Sequence, residues 1–454
     1  MAGFIPSDQA AQGSPERLRV AVGCGIGATI ETYDFIGFGT AAALYFGDVF
    51  FPDSDPMSAT LLSFATLGIG FAARPLGGII AGHLGDRIGR KPVLVGSLLI
   101  MGIATVLIGC LPTYQMVGTW APILLVAVRV IQGLAFGAEW GGAILMTFEH
   151  APWRRRGLYT GITQAGFPVG LLLANLAFLF STHTLSDTWA WRVPFLLSAV
   201  LIVVGILIRL KIDESPEFQQ IQQSGEVAKN PLLEVLREDW RNVLRAFCLR
   251  CAETAGYAVS VTFVLSYLDD GDAPDVSGNV SLTALVAASA LGIAATVLWG
   301  RLSDRVGRRP VYLLGCVVTL LWGVPMFLLV NTETAALVLV SFAVSYAVCQ
   351  NSLAGVQGAW FSELFATKTR TAGTSLAYQL SAVVSGFTPM IATALYSATG
   401  WAGPAALFSV YGLLGLVATL TTQETWDAAA REAADRAALP PSPRTAPTVS
   451  EAVR

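Results

Sequence analysis

Charged residues are scarce in this sequence. Asp, Glu, Lys and Arg together make up 13% of its 454 residues, about half the share found in soluble domains. Hydrophobic residues make up 54%, and apolar runs of about 20 residues, long enough to cross a bilayer core, recur along the chain. Such runs exclude a large soluble helical protein and predict a chain that crosses the membrane many times.

Cysteine is also rare, and its six copies are scattered within or at the edges of apolar runs. A disulfide framework is therefore not expected. Cys248 and Cys251 have the spacing of a zinc-binding pair, but neither a second pair nor a histidine accompanies them, so we expect no metal site. No nucleotide-binding motif and no nucleophile–base constellation is visible. These absences argue against an enzyme, ATP as the energy source, a cofactor or a nucleic-acid partner.

Twelve membrane-spanning helices account for the apolar runs. They are predicted at residues 20–46, 58–82, 93–111, 121–147, 157–181, 190–211, 243–268, 281–300, 311–331, 335–358, 373–397 and 401–421. A polar stretch, 212–242, separates two groups of six and predicts bundles at 20–211 and 243–421. Residues 1–19 lack a cleavable signal pattern, and residues 422–454 are expected to form a solvated, partly disordered tail to which we assign no function.

Two duplications relate the halves of the chain. The charged turn at 82–92 recurs at 300–310, and the segment 149–156 recurs at 363–370. Each copy occupies the same place in its half. Repeats in matching positions predict an all-α membrane protein with twelve transmembrane helices in two pseudo-symmetric six-helix bundles.

Lysine and arginine concentrate in alternate loops, for example at 87–91, 154–156 and 301–309, whereas the intervening loops carry acids. Basic loops stay in the cytoplasm, so we expect both termini to be cytoplasmic in a plasma or inner membrane. Arg192 is the one base expected near the outer face.

Some charged residues remain inside the predicted spans. They are Glu31, Asp34, Arg74, Arg129, Glu139, Arg250 and Glu253. A charge at mid-membrane costs at least about 2.5–3.5 kcal/mol, so these side chains must pair or face water. Most lie on helices one, four and seven, and helix ten adds the amides of Gln350 and Asn351. These are the first helices of the four three-helix units, which predicts a polar cavity on the pseudo-two-fold axis.

Glu31 and Asp34 are three residues apart and share a helix face. Two adjacent carboxylates in a low dielectric do not both ionise easily, so one of them is expected to carry a proton. The alternative is a permanent ion pair of one acid with Arg74 or Arg129. The candidate proton-coupling residues are Glu31, Asp34, Glu139 and Glu253.

Arginines inside the spans are candidates for binding an anionic substrate. Arg129 lies too far from the cytoplasmic end to reach it, which favours a functional role. Arg250 and Glu253 share a face, so Arg250 either forms a local ion pair or binds substrate. The candidate substrate-binding residues are Tyr33, Arg129, Trp140, Gln164, Arg250, Tyr257, Gln350, Asn351 and Gln379.

The charged turns indicate a latch on the cytoplasmic side. Asp86 can accept hydrogen bonds from the N-terminus of a neighbouring helix, while Arg87 and Arg90 can reach acids at other helix ends. Positive charge in these turns also fixes topology, and we expect both roles. The candidate gating residues are Arg74, Asp86, Arg87, Arg90, Glu149, Arg156, Asp304, Arg305, Arg308, Glu363 and Arg370.

These motifs resemble the major facilitator superfamily, and more narrowly its metabolite:proton symporter branch of proline/betaine, shikimate, 2-oxoglutarate and citrate carriers. The matching pieces are Glu31-Thr-Tyr33-Asp34-Phe35, Phe71-Ala-Ala-Arg74-Pro75, the turn at 82–92, Glu139-Trp140-Gly141-Gly142, Trp191-Arg192-Val-Pro194-Phe195, Asp213-Glu214-Ser215-Pro216 and Phe361-Ser362-Glu363-Leu364-Phe365. The resemblance implies proton-coupled uptake of small carboxylates or zwitterions by alternating access. This chain departs from the branch at Thr32, Asp48 and Thr254, where Trp, a basic residue and Asn are frequent.

We therefore expect a secondary active transporter with a small-molecule substrate and protons as partners, embedded in a lipid bilayer and functional as a monomer. In uptake, protons from outside neutralise the region of Glu31 and Asp34, and the substrate anion pairs with Arg129 or Arg250. A proton-antiport exporter would use the same acids and remains the alternative. A non-transporting sensor on this fold would bind substrate without flux, but no signalling domain is appended.

Overall fold

The computed structural model describes residues 14–88, 90–137, 140–210, 231–269, 278–366 and 369–426. Within these ranges the chain forms helices joined by short connections, and no strand occurs. The long helices are α1 (Ser14–Leu44), α2 (Pro56–Ile88), α3 (Arg90–Cys110), α4 (Trp120–Phe136, then Trp140–His150), α5 (Arg156–Gln164, then Gly166–Thr184), α6 (Arg192–Leu210), α7 (Trp240–Tyr257, Ala258–Phe263 and Val264–Asp269), α8 (Gly278–Val306), α9 (Arg308–Val330), α10 (Ala335–Val344, Ser345–Gln350 and Asn351–Leu364), α11 (Arg370–Thr399) and α12 (Ala402–Thr421).

These helices coincide with the twelve predicted spans, so the predicted fold is confirmed. By length and composition, eight of the described helical stretches can cross a membrane. Shorter apolar stretches occur at Val95–Cys110 in α3 and Trp120–Phe136 in α4. Polar and charged side chains within α1 and α7 lower the mean hydropathy of those two helices, and the same side chains build the candidate site.

The charged turns are shorter than the sequence indicated. Helix α8 continues to Val306, and the chain reverses at Gly307, whose φ of 104° lies in the left-handed region that favours glycine. Most of the predicted turn at 300–310 is therefore helical. The charged side chains of Asp304 and Arg308 consequently project from helix ends rather than from a loop.

Two helix pairs join the bundles. Helix α2 packs against α11, and α5 packs against α8. A shift of six helices converts the first pair into the second, so the two contacts are copies related by the pseudo-two-fold axis. Small residues allow the close approach of α5 to α8, because a Cβ atom on Gly157 would collide with the carbonyl oxygen of Gly300.

Each bundle also has its own packing. In the first half α1 packs on α5, α2 on α4 and α3 on α6, and in the second half α7 packs on α11 and α12, and α9 on α12. The end of the bundles that carries Arg156, Asp304, Arg308 and Arg370 is called the basic end below. The opposite end, which carries Asp53 and Asp187, is called the acidic end.

Two helices of the second bundle contain a wide π-type turn. In α7 this turn covers Ala258–Phe263, and in α10 it covers Ser345–Gln350. Such turns are frequent at functional sites because they re-aim neighbouring side chains. Both lie next to the cavity between the bundles, since Tyr257 and Gln350 line it.

Arg192 begins α6 at the acidic end and stabilises the end of α3. Its guanidinium donates hydrogen bonds to the carbonyl oxygens of Gly109 and Leu111, at 2.9 and 2.7 Å. The last carbonyl groups of a helix lack partners within the helix, and a cation is favourable beside them.

Replacing Arg192 with Gln should lower the free energy of unfolding by about 1 kcal/mol, because two charge-assisted hydrogen bonds at a partly exposed site are lost. Thermal unfolding of the detergent-purified protein measures this change. The control is Arg237→Gln, at an exposed arginine, which should leave the midpoint unchanged. Equal midpoints for both variants would contradict the proposed stabilisation.

Candidate functional site

A cavity lined by residues of both bundles lies between them. We call it the central cavity. Its polar and aromatic lining comprises Glu31, Thr32, Phe35, Phe71, Arg74, Phe136, Phe167, Arg250, Glu253, Thr254, Tyr257, Tyr346, Gln350, Asn351, Tyr378 and Ser385. Helices α1, α2, α4 and α5 supply the first part of this list, and α7, α10 and α11 supply the rest. The predicted polar cavity between the halves is thus present.

Two ion pairs form part of the wall of the central cavity. Arg74 Nη2 lies 3.4 Å from Glu31 Oε1, and both side chains are buried. Arg250 bonds Glu253 one turn further along α7. Aromatic rings support both guanidinium groups, since Arg74 lies 3.5 Å from the ring centre of Phe136 and Arg250 lies over Tyr378. The wall therefore carries two acids and two bases that are held out of bulk water.

Asp34 and Arg129 lie beside the central cavity in a second, narrower one. This side cavity is lined by Asp34, Phe35, Gly70, Arg74, Arg129, Gln132, Gly133 and Phe136. Arg129 donates a hydrogen bond to Gln132, which in turn donates to Thr105 at 2.7 Å. The Asp34 carboxylate attracts the Arg129 guanidinium.

Three side chains, Phe35, Arg74 and Phe136, line both cavities. The Phe35 ring lies 4.9 Å from the Arg129 guanidinium carbon, between that group and the central space. Arg74 is the one ionisable residue common to the two described linings. It therefore connects Asp34 and Arg129 electrostatically with Glu31.

Some of the predicted site residues line the central cavity in the structure, and others do not. Glu31, Arg250, Glu253, Tyr257, Gln350 and Asn351 line the central cavity, and so does Arg74, which we had expected at the gate. Arg74 lies there because it is in the middle of the 33-residue helix α2. The side chains of Glu139 and Trp140 lie outside the described residues.

Other predicted substrate residues have different partners. The Tyr33 hydroxyl donates to the carbonyl oxygen of Pro194 at 2.6 Å. Gln164 donates to Ala354 at 3.3 Å, and Gln379 donates to Gly137 at 2.9 Å. Both glutamines thus join one bundle to the other instead of lining the central cavity.

Two tyrosines that line the cavity, Tyr346 and Tyr378, are not among the substrate-binding residues predicted from the sequence. Tyr378 precedes Gln379, and adjacent residues on a helix point about 100° apart, so selecting the wrong neighbour changes the face. Tyr346 lies within the π-type turn of α10, where the ordinary helical period does not apply. A search for aromatic residues next to candidate amides would have found Tyr378, which precedes Gln379.

Asp304 joins the bundles at the basic end. Its two carboxylate oxygens accept hydrogen bonds from the backbone N–H groups of Gly157 and Leu158, at 2.8 and 2.7 Å. These groups belong to the first turn of α5, where the helix dipole favours an anion. Arg308 bonds Asp304 at 2.8 Å and Glu363 at 3.2 Å. The interaction expected of Asp86 is thus present at its repeat, Asp304.

The remaining predicted gating residues surround this contact. The Arg156 guanidinium is attracted by the carboxylates of Glu363 and Glu149. Arg156 and Arg370 both lie over the ring of Phe148, at 4.0 and 5.2 Å. Arg305 has an exposed side chain. The side chains of Asp86, Arg87 and Arg90 lie outside the described residues.

The segment that follows α12 also belongs to this network. Glu424 accepts hydrogen bonds from the backbone N–H groups of Arg308 and Arg309, at 3.1 and 2.9 Å, and so caps the N-terminus of α9. Thr425 donates to Glu363 at 2.5 Å, and the Trp426 ring lies 4.8 Å from the Arg308 guanidinium carbon. The sequence predicts a solvated tail without an assigned function beyond 421, whereas the first residues of this segment pack on the charged network at the basic end.

Two related helical bundles around a polar chamber, joined at one end by a charged network, have the architecture of a membrane transport protein. Comparison of the sequence with family models agrees. The model described as Major Facilitator Superfamily matches residues 24–350 and 282–448. The chain belongs to this superfamily.

Curated relatives agree with this assignment by sequence, and a solved structure shares the fold. The chain is 40% identical over 395 residues to the shikimate transporter of Escherichia coli (strain K12), covering 84% of this chain and 89% of the relative. It is 32% identical over 424 residues to the proline/betaine transporter of the same strain, covering 90% and 84%. Among solved structures, the xylose transporter XylE from E. coli in a partially occluded inward open conformation matches with a TM-score of 0.69 at 18% identity, covering 91% and 99%.

Proposed function

We propose that this chain is a proton-coupled symporter that takes up a small organic acid or zwitterion. The observation that carries the proposal is the presence of two buried arginine–glutamate pairs in the wall of one cavity between the bundles. Each pair offers an acid that can take a proton and a base that can take a carboxylate. Within each pair, the proton and the substrate therefore act on the same two charged groups.

Coupling follows from the energetics of a buried charge pair. Protonation of Glu253 leaves Arg250 without its counter-charge, and an uncompensated buried charge costs about 3–5 kcal/mol. A substrate carboxylate at Arg250 removes that cost. The proton and the substrate thus favour each other's binding, and by linkage the effect is reciprocal. The Arg74–Glu31 pair has the same arrangement on the opposite wall.

A second acid and arginine, Asp34 and Arg129, are expected to couple in the same way in the side cavity, away from the substrate. Protonation of Asp34 removes the negative charge beside Arg129, and Arg74 carries the change to the central cavity because it lines both spaces. We assign Asp34 a proton-coupling role and Arg129 a role in coupling rather than in substrate binding. This assignment favours Arg250 over Arg129 as the substrate ligand.

Alternating access requires that the Asp304 contact between the bundles breaks when the basic end opens. We propose that this end faces the cytoplasm, with both termini, because the basic loops lie there. The bundles of this proposal are residues 20–211 and 243–421, joined by the linker 212–242. The relatives are named as transporters of shikimate and of proline and betaine. All three compounds carry a carboxylate, which supports an acidic or zwitterionic substrate.

Flux into proteoliposomes tests the proposed function, with labelled shikimate as the probe. Acidifying the outside should accelerate uptake and drive accumulation above the outside concentration. Asp34→Asn should reduce this accumulation at least about 10-fold, because a permanently neutral group no longer responds to the proton gradient, but should preserve exchange against preloaded shikimate. Asp48→Asn, at an exposed acid near the acidic end, serves as the matched control.

Other outcomes have definite meanings. Outside acid that drives export of preloaded shikimate would establish the antiport exporter instead. Binding without any flux would establish a sensor. Full accumulation by Asp34→Asn would remove Asp34 from the coupling mechanism.

A further inference from the structure

Several neutral polar groups in the wall of the central cavity have no hydrogen-bond partner among the described residues. Both amide atoms of Gln350, the amide nitrogen of Asn351 and the hydroxyl of Tyr257 are buried and unpaired. The side chains of Gln350 and Asn351 are only 1% and 2% exposed. Buried polar groups in proteins are nearly always bonded, so this concentration of unpaired groups points to a ligand that bonds them.

These groups belong to α7 and α10, and all three residues line the same cavity. The Gln350 amide lies against Gly256, where a Cβ atom would come within 2.9 Å of Nε2. Asn351 Nδ2 similarly lies over Gly292, within 2.7 Å of the position a Cβ would occupy. Glycines at these two points leave room for the amides beside the backbones of α7 and α8. Tyr257 is the last residue before the π-type turn of α7 and lines the same cavity.

The central cavity consequently has two chemically different ends. Arg250 and Glu253 supply charge, and Tyr257, Gln350 and Asn351 supply neutral donors and acceptors. From Arg250 to Tyr257 the helix rises about 10 Å. A ligand that uses both ends needs an anionic group at one side and neutral hydrogen-bonding groups several ångströms away.

An amide accepts through its oxygen and donates through its nitrogen, and a phenol does both. Hydroxyl groups are the matching ligand groups, because each hydroxyl also donates and accepts. A trimethylammonium group, in contrast, offers no donor or acceptor and would leave these amides unpaired. The surface therefore discriminates among the acids and zwitterions that the proposed function allows.

We propose that Tyr257, Gln350 and Asn351 form a hydroxyl-recognition site, and that the substrate is a hydroxylated carboxylate of about one ring in size. This inference rests on the proposed function in one respect, the carboxylate at Arg250. A site that hydrogen-bonds a hydroxyl rejects the analogue lacking it, because its own buried groups are then left unpaired. Each lost hydroxyl contact is expected to weaken binding on the order of 10- to 100-fold.

Isothermal titration calorimetry of the full chain in detergent, at one fixed pH, tests the proposal with matched ligands. The panel consists of shikimate and quinate, which carry several hydroxyls, cyclohex-1-ene-1-carboxylate, which has the shikimate ring without them, and glycine betaine. Shikimate or quinate should bind at least about 100-fold more tightly than the hydroxyl-free ring acid, with betaine weaker than both hydroxylated acids. Equal affinities, or no binding by either hydroxylated acid, would overturn the proposal.

Single substitutions test which residues distinguish the hydroxylated acids from the hydroxyl-free acid. Tyr257→Phe removes one hydroxyl, and Gln350→Leu and Asn351→Leu remove the amides at similar volume. Each should weaken binding of the hydroxylated acid about 10-fold or more while preserving the affinity for the hydroxyl-free acid, which confirms that the variant is folded. Tyr312→Phe is the matched control, because the Tyr312 hydroxyl bonds the carbonyl oxygen of Leu249 outside the cavity. Undiminished discrimination in all three variants would place the recognition elsewhere.

The two proposals fail separately. If outside acid does not accelerate uptake but the panel is discriminated as described, symport is wrong and the hydroxyl site stands. If acid drives uptake but the ring acids bind equally with and without hydroxyls, symport stands and the hydroxyl site is wrong.

Discussion

Replacing Arg250 with Gln should abolish binding of an acidic substrate, whereas the same change at Arg129 should leave binding within a few-fold of the wild type. Arg250 lines the central cavity, and Arg129 lies in the side cavity behind Phe35. Loss of the Arg250 charge as the partner of the substrate carboxylate costs about 3–5 kcal/mol, or more than 100-fold in affinity. Calorimetric titration with shikimate at fixed pH measures both variants.

Transport assays also distinguish the two arginines. Arg129→Gln should retain exchange across the membrane but lose accumulation driven by outside acid. The reason is that protonation of Asp34 no longer changes the balance of charge with a neighbouring guanidinium. Arg250→Gln should lose both exchange and accumulation. Equal loss of binding in the two variants would show that Arg129 contacts the substrate.

A second variant guards against a folding defect. In Arg250→Gln the Glu253 carboxylate loses its buried partner, which by itself is destabilising. The double variant Arg250→Gln/Glu253→Gln removes both charges and should restore stability without restoring binding. Recovery of substrate affinity in the double variant would mean that Arg250 only neutralises Glu253.

Replacing Asp304 with Asn should shift the protein towards the state open at the basic end. The amide keeps the shape of the side chain but loses the charge that two backbone N–H groups of α5 and the Arg308 guanidinium bond. Charge-assisted hydrogen bonds contribute about 1.5–3 kcal/mol each, and Arg308 keeps its bond to Glu363. We expect a net shift of about 3 kcal/mol, enough to raise a state populated at 1% to roughly half.

Spin labels at positions 155 and 301 report this shift, because both arginines are exposed at the basic end and belong to different bundles. Pulsed electron spin resonance on Asp304→Asn should show a new population at longer distance, accompanied by slower uptake. The matched control is Arg305→Gln, an exposed neighbour, which should keep the wild-type distribution. An unchanged distribution in Asp304→Asn would remove this contact from the gate.

Much of the fold follows from the sequence because a bilayer constrains the chain strongly. A spanning helix must satisfy its backbone groups internally and must be about 20 residues long, so the apolar runs give the helices directly. The duplicated segments at 82–92 and 300–310 give the two-fold relation between the halves. The buried charges indicate a cavity because lipid does not tolerate them singly.

Assignment of individual side chains was less complete, for a geometric reason. Glu31 and Asp34 share a helix face by sequence, yet the first lines the central cavity and the second the side cavity. Phe35 lines both cavities, and its ring packs against that of Phe71, on another helix, with the ring centres 3.9 Å apart. Glu424 is a similar case, since its partner is the start of α9, more than a hundred residues away.

The sequence alone therefore determined that this is a twelve-helix transporter with two related halves, a charged interior and charged segments at its basic end, because hydropathy, charge placement and repetition are local properties of the chain. Only the tertiary structure decided which arginines line the central cavity, which amides line it unpaired, and that the segment after α12 packs on the charged network around Asp304. Those outcomes depend on contacts between helices distant in sequence, and no periodicity within a single helix encodes the rotation that its neighbours impose.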